Sequence, residues 1–257
     1  FSRGVLTGAV LALATLLPAL LAGERSGWGR RIGLAGLCLA PFSVADTLEL
    51  DPSVITGSRS ASPSFDLPYS VDSINQQHIS DGQLGINASE VLSRVPGLVV
   101  QNRQNYAQDL QISSRGFGAR SAFGVRGIKL IADGIPASTP DGQGQAATFN
   151  LDTAERIEVL RGPAATLYGS NAGGVIQMFS RDGEGPPRIG AETLVGSDGL
   201  SKNHLTAEGA ADGVGFVLDA SRMDTDGYRD HSAARRDQTF AKLNLKPDED
   251  SKLALIY

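Results

Sequence analysis

The chain has 257 residues, a formal net charge of −5 and 31 glycines. This acidic balance argues against a protein that binds nucleic acid through phosphate contacts, and the glycine content favours turns and close backbone packing over long helices. Cys38 is the only cysteine, which excludes an internal disulfide and a cysteine-based zinc site.

Two apolar runs come first along the chain. Residues 28–45, "WGRRIGLAGLCLAPFSVA", have a basic start, a short apolar stretch and a small-x-small pattern that ends at Ala45. This order is typical of a secretory signal peptide, and the apolar stretch is too short to span a bilayer. Residues 1–27 hold the other run, which is open to two interpretations. It is a membrane or signal segment, or it is translated sequence upstream of the true start.

Residues 46–68 are rich in serine, proline and aspartate, with one short β-prone run at Ser53–Thr56. Such a segment does not bury enough apolar surface to fold alone. It is either a plain linker or an extended peptide that a partner binds by strand addition.

Residues 69–183 have the pattern of a compact α+β domain with short strands and few helices. Strands are predicted at "YSVDSI", "GLVVQ" and "AERIEVLRG", and a type I′ hairpin at Asp133–Gly134. A short helix is predicted with Asn87 as its N-cap, Glu90 at its third position and Val91 in its buried stripe.

The glycines of "RGPAATLYGSNAGG" raise the question of a phosphate-binding loop. No lysine follows Gly173–Gly174, so the stretch does not match a P-loop. We predict instead a short helical turn at Ala164–Tyr168 and a tight reversal at the paired glycines.

Five successive segments after Arg188 alternate apolar and polar side chains, and short connectors separate them. This period-two pattern is typical of a transmembrane β-barrel with its apolar residues outward. An ordinary antiparallel sheet with one solvated face has the same periodicity, so periodicity alone leaves both open.

The sequence holds no pattern that indicates catalysis or a bound metal. His78, His204 and His231 are scattered without ligand spacing, in polar contexts typical of solvated side chains. Ser170 lacks a nucleophile-elbow pattern. We therefore predict neither an enzyme nor a cofactor.

Several motifs resemble one family when they are taken in order. "QISSRGFG", "IADGIP" and "AERIEVLRGPAATLYGSNAGGVIQMFS", with the alternating segments after them, resemble TonB-dependent outer-membrane receptors over about residues 54–257. The resemblance implies an α+β plug domain followed by the start of a transmembrane β-barrel of about 22 antiparallel strands, truncated here after about five. Residues 46–68 would be the TonB-box segment and linker, 69–183 the plug and 184–257 the first barrel strands.

The resemblance also implies a function and a location. The protein would lie in the bacterial outer membrane, surrounded by lipid, with its plug facing the periplasm. It would import a scarce nutrient, foremost a ferric siderophore, with TonB and its inner-membrane energising complex as partner. The alternatives are cobalamin, haem, another metal or a sugar as substrate, or a truncated plug fragment that transports nothing. A nucleic-acid partner is not implied.

Two sets of residues take roles from the resemblance. Val54, Ile55 and Thr56 of "PSVITGS" resemble the TonB box, and Asp46–Leu50 is a second candidate. Arg115 and Arg161 resemble plug arginines that form a latch with carboxylates on the barrel wall, and Glu158 resembles the acidic member of this latch on the plug side. Their barrel partners are expected beyond the end of this chain.

The plug's outward tips give a third set. Arg103, Tyr106, Arg120 and Gln143 lie in segments that correspond to these tips and are the expected substrate contacts. Basic and aromatic side chains suit an anionic ferric chelate. Each residue taken singly is also compatible with a solvated loop position.

Overall fold

The structure is a computed structural model and describes residues 54–55, 62–63, 70–103, 106, 108–122, 124–169, 171–211, 213–247 and 251–257. The predicted leader, the Asp46–Leu50 candidate and Thr56 lie outside these ranges. No helix in the described ranges is long and apolar enough to cross a membrane.

A small strand pair stands at the start of the described chain. β1 (Val54–Ile55) pairs antiparallel with β2 (Ser62–Pro63). The predicted β-prone run therefore forms a strand, and its partner is a segment of the same chain.

The centre of the plug is a mixed sheet. Its strands are β3 (Ser70–Asn75), β7 (Ile128–Ala132), β8 (Ile135–Pro136), β10 (Ala154–Arg161) and β11 (Gly174–Ser180). Their order is β3-β10-β11-β7-β8, with β11 parallel to β7 and the other neighbours antiparallel. The strands predicted at "YSVDSI" and "AERIEVLRG" are confirmed.

Short elements surround this sheet. They are helices α1 (Gln76–Ser80) and α2 (Ser89–Leu92), the strand pair β4 (Leu98–Gln101) and β5 (Gln111–Ser114), the strand pair β6 (Val125–Arg126) and β9 (Gln143–Gly144), and 3-10 turns at Ala146–Thr148, Leu151–Thr153 and Pro163–Tyr168. The strand predicted at "GLVVQ" is confirmed by β4.

The predicted cap of α2 is present only in part. Glu90 accepts hydrogen bonds from the backbone N–H groups of Gly85, Ile86 and Asn87, at 2.8, 3.1 and 2.8 Å. The helix begins after Ala88, and no side chain caps it there. The prediction of Asn87 as N-cap is wrong because the helix starts one residue later, and the Glu90 carboxylate satisfies the amides before it.

The Asp133–Gly134 hairpin is confirmed. Both residues have a positive φ, 48° and 82°, as a type I′ turn requires. The Asp133 carboxylate also accepts hydrogen bonds from the backbone N–H and the hydroxyl of Ser180, at 2.8 and 2.7 Å. The turn is thereby held against the end of β11.

The predicted stretch of small residues adopts the expected form. Pro163–Tyr168 is a 3-10 turn, and a Cβ on Gly174, where φ is +123°, would lie 2.5 Å from the Leu160 carbonyl oxygen. Glycine is required here because the backbones of two strands approach closely. The stretch therefore serves strand packing.

Long strands follow the plug, as predicted, and they pair antiparallel in sequence order. We call them the wall sheet: β12 (Arg188–Val195), β13 (Ser201–Ala211), β14 (Val214–Thr225), β15 (Ala234–Leu245) and β16 (Leu253–Ile256). Leu205, Leu218 and Leu255 are exposed on one face, whereas Lys202 and Lys242 are buried on the other, against the plug. An α+β plug followed by the strands of a partial barrel is the observed fold.

Candidate functional site

The predicted tip residues Arg103 and Tyr106 lie beside the connections at one end of the wall sheet. A cavity of about 500 Å³, which we call the tip cavity, is formed by the plug and the β14–β15 connection. Its lining is Arg103, Tyr106, Gln108, Arg229, Asp230, His231, Ser232, Ala233, Ala234 and Arg235. A smaller cavity of about 280 Å³ adjoins it, because Tyr106, Arg229 and Ser232 line both.

The lining of the tip cavity is cationic, with three arginines against one aspartate. Arg103 Nη1 donates to Gln108 Oε1 at 3.0 Å, and Arg235 Nε donates to Asp224 Oδ1 at 2.6 Å. Arg229 makes no ion pair with the described residues. Its guanidinium is therefore available to an anionic ligand, for which its planar fork of donors is suited.

Tyr106 gives the tip cavity an aromatic side chain with a neutral hydroxyl. Burial raises the pKa of this hydroxyl, and the nearby Glu90 carboxylate acts in the same direction. The phenol therefore keeps its proton and remains a hydrogen-bond donor beside the arginines.

The other two predicted contacts, Arg120 and Gln143, line a different cavity. This plug cavity, of about 720 Å³, is lined by Gly116, Phe117, Gly118, Ala119, Arg120, Ser121, Ala122, Arg126, Gly127 and Gln143. The structure therefore brings the four predicted residues together as two pairs in two cavities.

A hydrogen-bonded turn orders the backbone at Gln143. The single proton of the Thr139 hydroxyl is shared between the Asp141 carboxylate and the Gln143 carbonyl, which is 2.8 Å away, and the Gln143 N–H donates to Asp141 Oδ1 at 3.2 Å. Hydrogen bonds from the Thr139 hydroxyl and the Gln143 N–H lower the pKa of Asp141. Asp141 therefore stays ionised as the acceptor of this turn.

The predicted latch residue Arg161 has its partner inside the plug. Its guanidinium pairs with Asp72 on β3, donates to Ser70 Oγ at 3.0 Å and bonds the Pro96 carbonyl. Arg161 therefore has an ionic partner within this chain, whereas a partner on the barrel wall stays a prediction. β3 and β10 pair in a register that sets Arg161 opposite Ser70, and Asp72 two residues on shares its face.

The other latch residues differ from Arg161 and from each other. Glu158 is almost fully buried and accepts from Arg156 Nε of its own strand at 2.9 Å. Arg115 is exposed, with a positive φ of 50°, and makes no ion pair with the described residues. A partner for Arg115 on the barrel wall stays a prediction.

The structure shows a second set of charged contacts, which the sequence did not reveal. Lys202 Nζ on β13 donates to Asp152 Oδ1 of the plug at 2.6 Å and to the Leu84 carbonyl at 2.7 Å. Arg236 of β15 donates to the carbonyls of Ile86 and Ala147, at 2.8 Å each. We call this contact between the plug and the buried face of the wall sheet the plug–wall junction.

Lys242 of β15 extends the junction. Its ammonium binds Asp133 Oδ1 at 3.3 Å, Asp182 Oδ1 at 2.9 Å, and the Ser180 hydroxyl and carbonyl at 3.0 and 3.1 Å. Buried charges are tolerated when paired in this way. In these pairs the cations lie on the wall and the carboxylates on the plug side, opposite to the predicted latch.

Glu208 of β13 reverses that polarity at one point. It accepts from Arg181 Nε at 2.6 Å and from Arg188 Nε at 2.8 Å, while Arg181 Nη1 donates to the Asp152 carbonyl at 2.8 Å. Charged residues at alternate, inward positions of β13 and β15 were the sequence signal for these contacts, since such positions face the plug in a filled barrel.

The sequence context of His204 predicted a solvated side chain, and this prediction is wrong. Its side chain is largely buried on the inward face of β13, and its Nε2 is hydrogen-bonded to the Asp219 carboxylate. Asn150 Nδ2 of the plug donates to the other oxygen of Asp219 at 3.3 Å. His204 therefore belongs to the plug–wall junction, whereas His78 and His231 are exposed as predicted.

Comparisons with known proteins agree with this architecture. Residues 63–176 match the family described as TonB-dependent Receptor Plug Domain. The chain is 30% identical over 235 residues to the pesticin receptor of Yersinia pestis, covering 85% of this chain and 33% of that protein. It is 28% identical over 246 residues to a hemin receptor of the same organism, covering 87% and 35%.

A solved structure also shares the fold. The ferric yersiniabactin uptake receptor FyuA from Yersinia pestis superposes with a TM-score of 0.56 at 26% identity, over 70% of this chain and 29% of that chain. The chain spans about a third of the length of the curated relatives that it matches.

Proposed function

We propose that this chain, which belongs to the TonB-dependent receptors through its plug domain and barrel strands, is part of an outer-membrane transporter for a ferric siderophore. The observation that carries the proposal is the tip cavity, where Arg103, Arg229 and Tyr106 converge. Guanidinium groups suit the anionic oxygens of a ferric chelate, and an aromatic ring gives it a packing surface.

The tip cavity is assigned to the outer side of the membrane. It lies at the end of the wall sheet where residues 226–233 connect β14 and β15, the longest connection between the described wall strands. Outer-membrane barrels have short periplasmic turns and longer extracellular loops. The opposite end of the wall sheet, which holds the short connection between Ala211 and Val214, then faces the periplasm.

TonB is the proposed energising partner, and β1 the strand that it engages. A partner that adds a strand gains main-chain hydrogen bonds with little demand on side chains. Because β1 pairs with β2 within the chain, TonB would add at the other edge of β1 or replace β2.

Haem is the second candidate substrate. Tyr106 and His231 both line the tip cavity, and phenol and imidazole are side chains that ligate haem iron. The haem propionates would meet the same arginines as a siderophore. The similarity to a hemin receptor supports this candidate in the same way as FyuA supports the first.

Binding measurements on the purified receptor separate these candidates. A panel of ferric siderophores and haem is titrated by calorimetry, and haem is also followed by its absorption spectrum. Arg229→Ala is expected to weaken binding of the preferred anionic ligand by about 10-fold or more, as for a lost charge-assisted hydrogen bond. The matched control is Arg222→Ala, which removes an arginine that pairs with Asp237 outside the cavity.

Each result has a clear consequence. A ferric siderophore that binds wild type and Arg222→Ala equally, but Arg229→Ala weakly, supports the proposal. Binding of haem alone, with a changed spectrum, transfers the assignment to the second candidate. If Arg229→Ala and Arg222→Ala both bind the ligand as tightly as wild type does, the tip cavity is not the substrate site.

A further inference from the structure

One buried carboxylate oxygen in the plug–wall junction has no hydrogen-bond partner. Asp152 lies in the 3-10 turn Leu151–Thr153, and its side chain is 9% exposed. Oδ1 accepts from Lys202, whereas Oδ2 is buried and receives no hydrogen bond from the described residues. Leaving a buried carboxylate oxygen unpaired is unfavourable, so Oδ2 marks a position where a bound cation would be stabilised.

Two further residues with metal-ligating side chains lie close to Asp152 on the wall sheet. His204 lies on β13 and Asp219 on β14, and both side chains are on the buried face of the sheet. The ligand atoms of Asp152, His204 and Asp219 all lie within 4.8 Å of one another. His204 and Asp219 are diagonal neighbours on the paired strands β13 and β14. Asp219 pairs with Thr206, which lies two residues after His204 on the same face of the sheet.

We propose that Asp152, His204 and Asp219 form a binding site for a divalent transition-metal ion of the Zn²⁺ type. One imidazole and two carboxylates are donors that this ion accepts, and the two carboxylates supply two negative charges. A cavity of about 290 Å³, lined by Asp152 and His204 among others, leaves room for water to complete the coordination.

Lys202 does not compete for the same oxygen. Its ammonium binds Asp152 Oδ1 and the Leu84 carbonyl, and an ionised carboxylate has about four lone-pair sites. Oδ2 therefore remains available to the metal while the ion pair persists. The ammonium's charge lowers the affinity of the site, and the two carboxylates oppose that effect.

A carboxylate lies within ion-pair distance of the other ring nitrogen of His204. When Nε2 binds the metal, it releases its proton to solvent and gives up its hydrogen bond to Asp219. Nδ1 lies 3.9 Å from Glu192 Oε2 on β12. A carboxylate on the second nitrogen orients a ligating imidazole and raises its basicity.

The ion would join the plug to the wall. Asp152 belongs to the plug and the other two ligands to β13 and β14, so a bound metal ties three segments together beside the Lys202–Asp152 pair. The site is distinct from the tip cavity and is independent of which substrate binds there.

Equilibrium dialysis of the full-length protein in detergent against Zn²⁺, followed by metal analysis, tests the proposal. Wild type is expected to retain about one ion per chain at this site, and His204→Ala none. Glu192→Gln is expected to weaken Zn²⁺ binding by about 10- to 100-fold. The matched control is His78→Ala, which removes an exposed histidine elsewhere and is expected to bind as wild type does.

Asp152→Asn is a second variant that keeps an oxygen beside Lys202. Circular dichroism and resistance of the plug to trypsin establish that it is folded. Loss of Zn²⁺ from this folded variant supports the site. Equal Zn²⁺ content in wild type and in either the Asp152 or the His204 variant overturns the proposal, as does a folded wild type that binds no Zn²⁺.

Discussion

Lys202 of the wall sheet and Asp152 of the plug form a buried ion pair, with 2.6 Å between Nζ and Oδ1 and side chains that are 5% and 9% exposed. The two residues are 50 positions apart in the chain. Their contact shows that the first wall strands already hold the plug through charges. It also shows the polarity of that contact, with the cation on the wall.

Breaking this pair is expected to loosen the plug. Lys202→Met leaves a buried carboxylate without its cation, which typically lowers the free energy of unfolding by about 3–5 kcal/mol. Arg222→Met is the matched control, because it breaks an exposed pair with Asp237 and should change stability by less than about 1 kcal/mol. Unfolding by guanidinium chloride in detergent measures the free energy of unfolding of both variants. Equal losses of stability would contradict a structural role for the buried pair.

Arg161 and Asp72 are expected to act together in plug stability. In a double-mutant cycle with Arg161→Leu and Asp72→Ala, we expect a coupling energy of about 0.5–3 kcal/mol, since the two side chains are in direct contact. The measurement is the free energy of unfolding of the four proteins. Strictly additive effects would mean that the main partner of Arg161 lies elsewhere.

Asp182 is expected to make stability dependent on acid pH. Burial opposes its ionisation, but hydrogen bonds from Lys252 and Lys242 outweigh burial and lower its pKa. A carboxylate with a lower pKa when folded stabilises the protein above its unfolded pKa, and this stability is lost as pH falls through the folded pKa. Asp182→Asn should therefore be less stable than wild type at neutral pH and equal to it in acid. A difference that stays constant across this range would rule out the linkage.

Two glycines of the plug provide a matched pair of substitutions. Gly162 has φ 92° and ψ −163°, so Gly162→Ala should cost about 1–3 kcal/mol from backbone strain alone, because its added Cβ has open space. Gly174→Ala adds a clash, since its Cβ would lie 2.5 Å from the Leu160 carbonyl oxygen. We expect Gly174→Ala to lower the unfolding midpoint in guanidinium further. Equal midpoints would contradict the close approach of the two strands.

The elements predicted from the sequence were those with local signals. Alternation predicted the wall strands, and Asp133–Gly134 predicted its hairpin because the turn needs two positive φ values. The predicted N-cap, Asn87, was wrong by one residue, because the helix begins after Ala88. A local pattern finds a helix, but which neighbour caps it depends on where the helix starts, and here Glu90 satisfies the amides.

The charged pairs of the plug and of the plug–wall junction could not be predicted from the sequence. Alternation places Lys202 on the inward face of β13, but nothing local tells which plug residue meets it. Nothing local to Asp152 indicates an ionic partner, and Arg161 contacts Asp72 only because of the register of β3 against β10. These partners are 50 and 89 positions apart, so they required the tertiary structure.

The proposed uptake driven by TonB through β1 can be measured in cells that carry wild type, Val54→Pro or Val54→Thr. Surface binding and accumulation of a radiolabelled ferric siderophore are compared among the three. Proline removes a backbone donor from the strand, whereas threonine keeps it. We expect all three proteins to bind the chelate equally and only Val54→Pro to fail to accumulate it. If Val54→Pro accumulates the chelate at the wild-type rate, TonB does not act through β1.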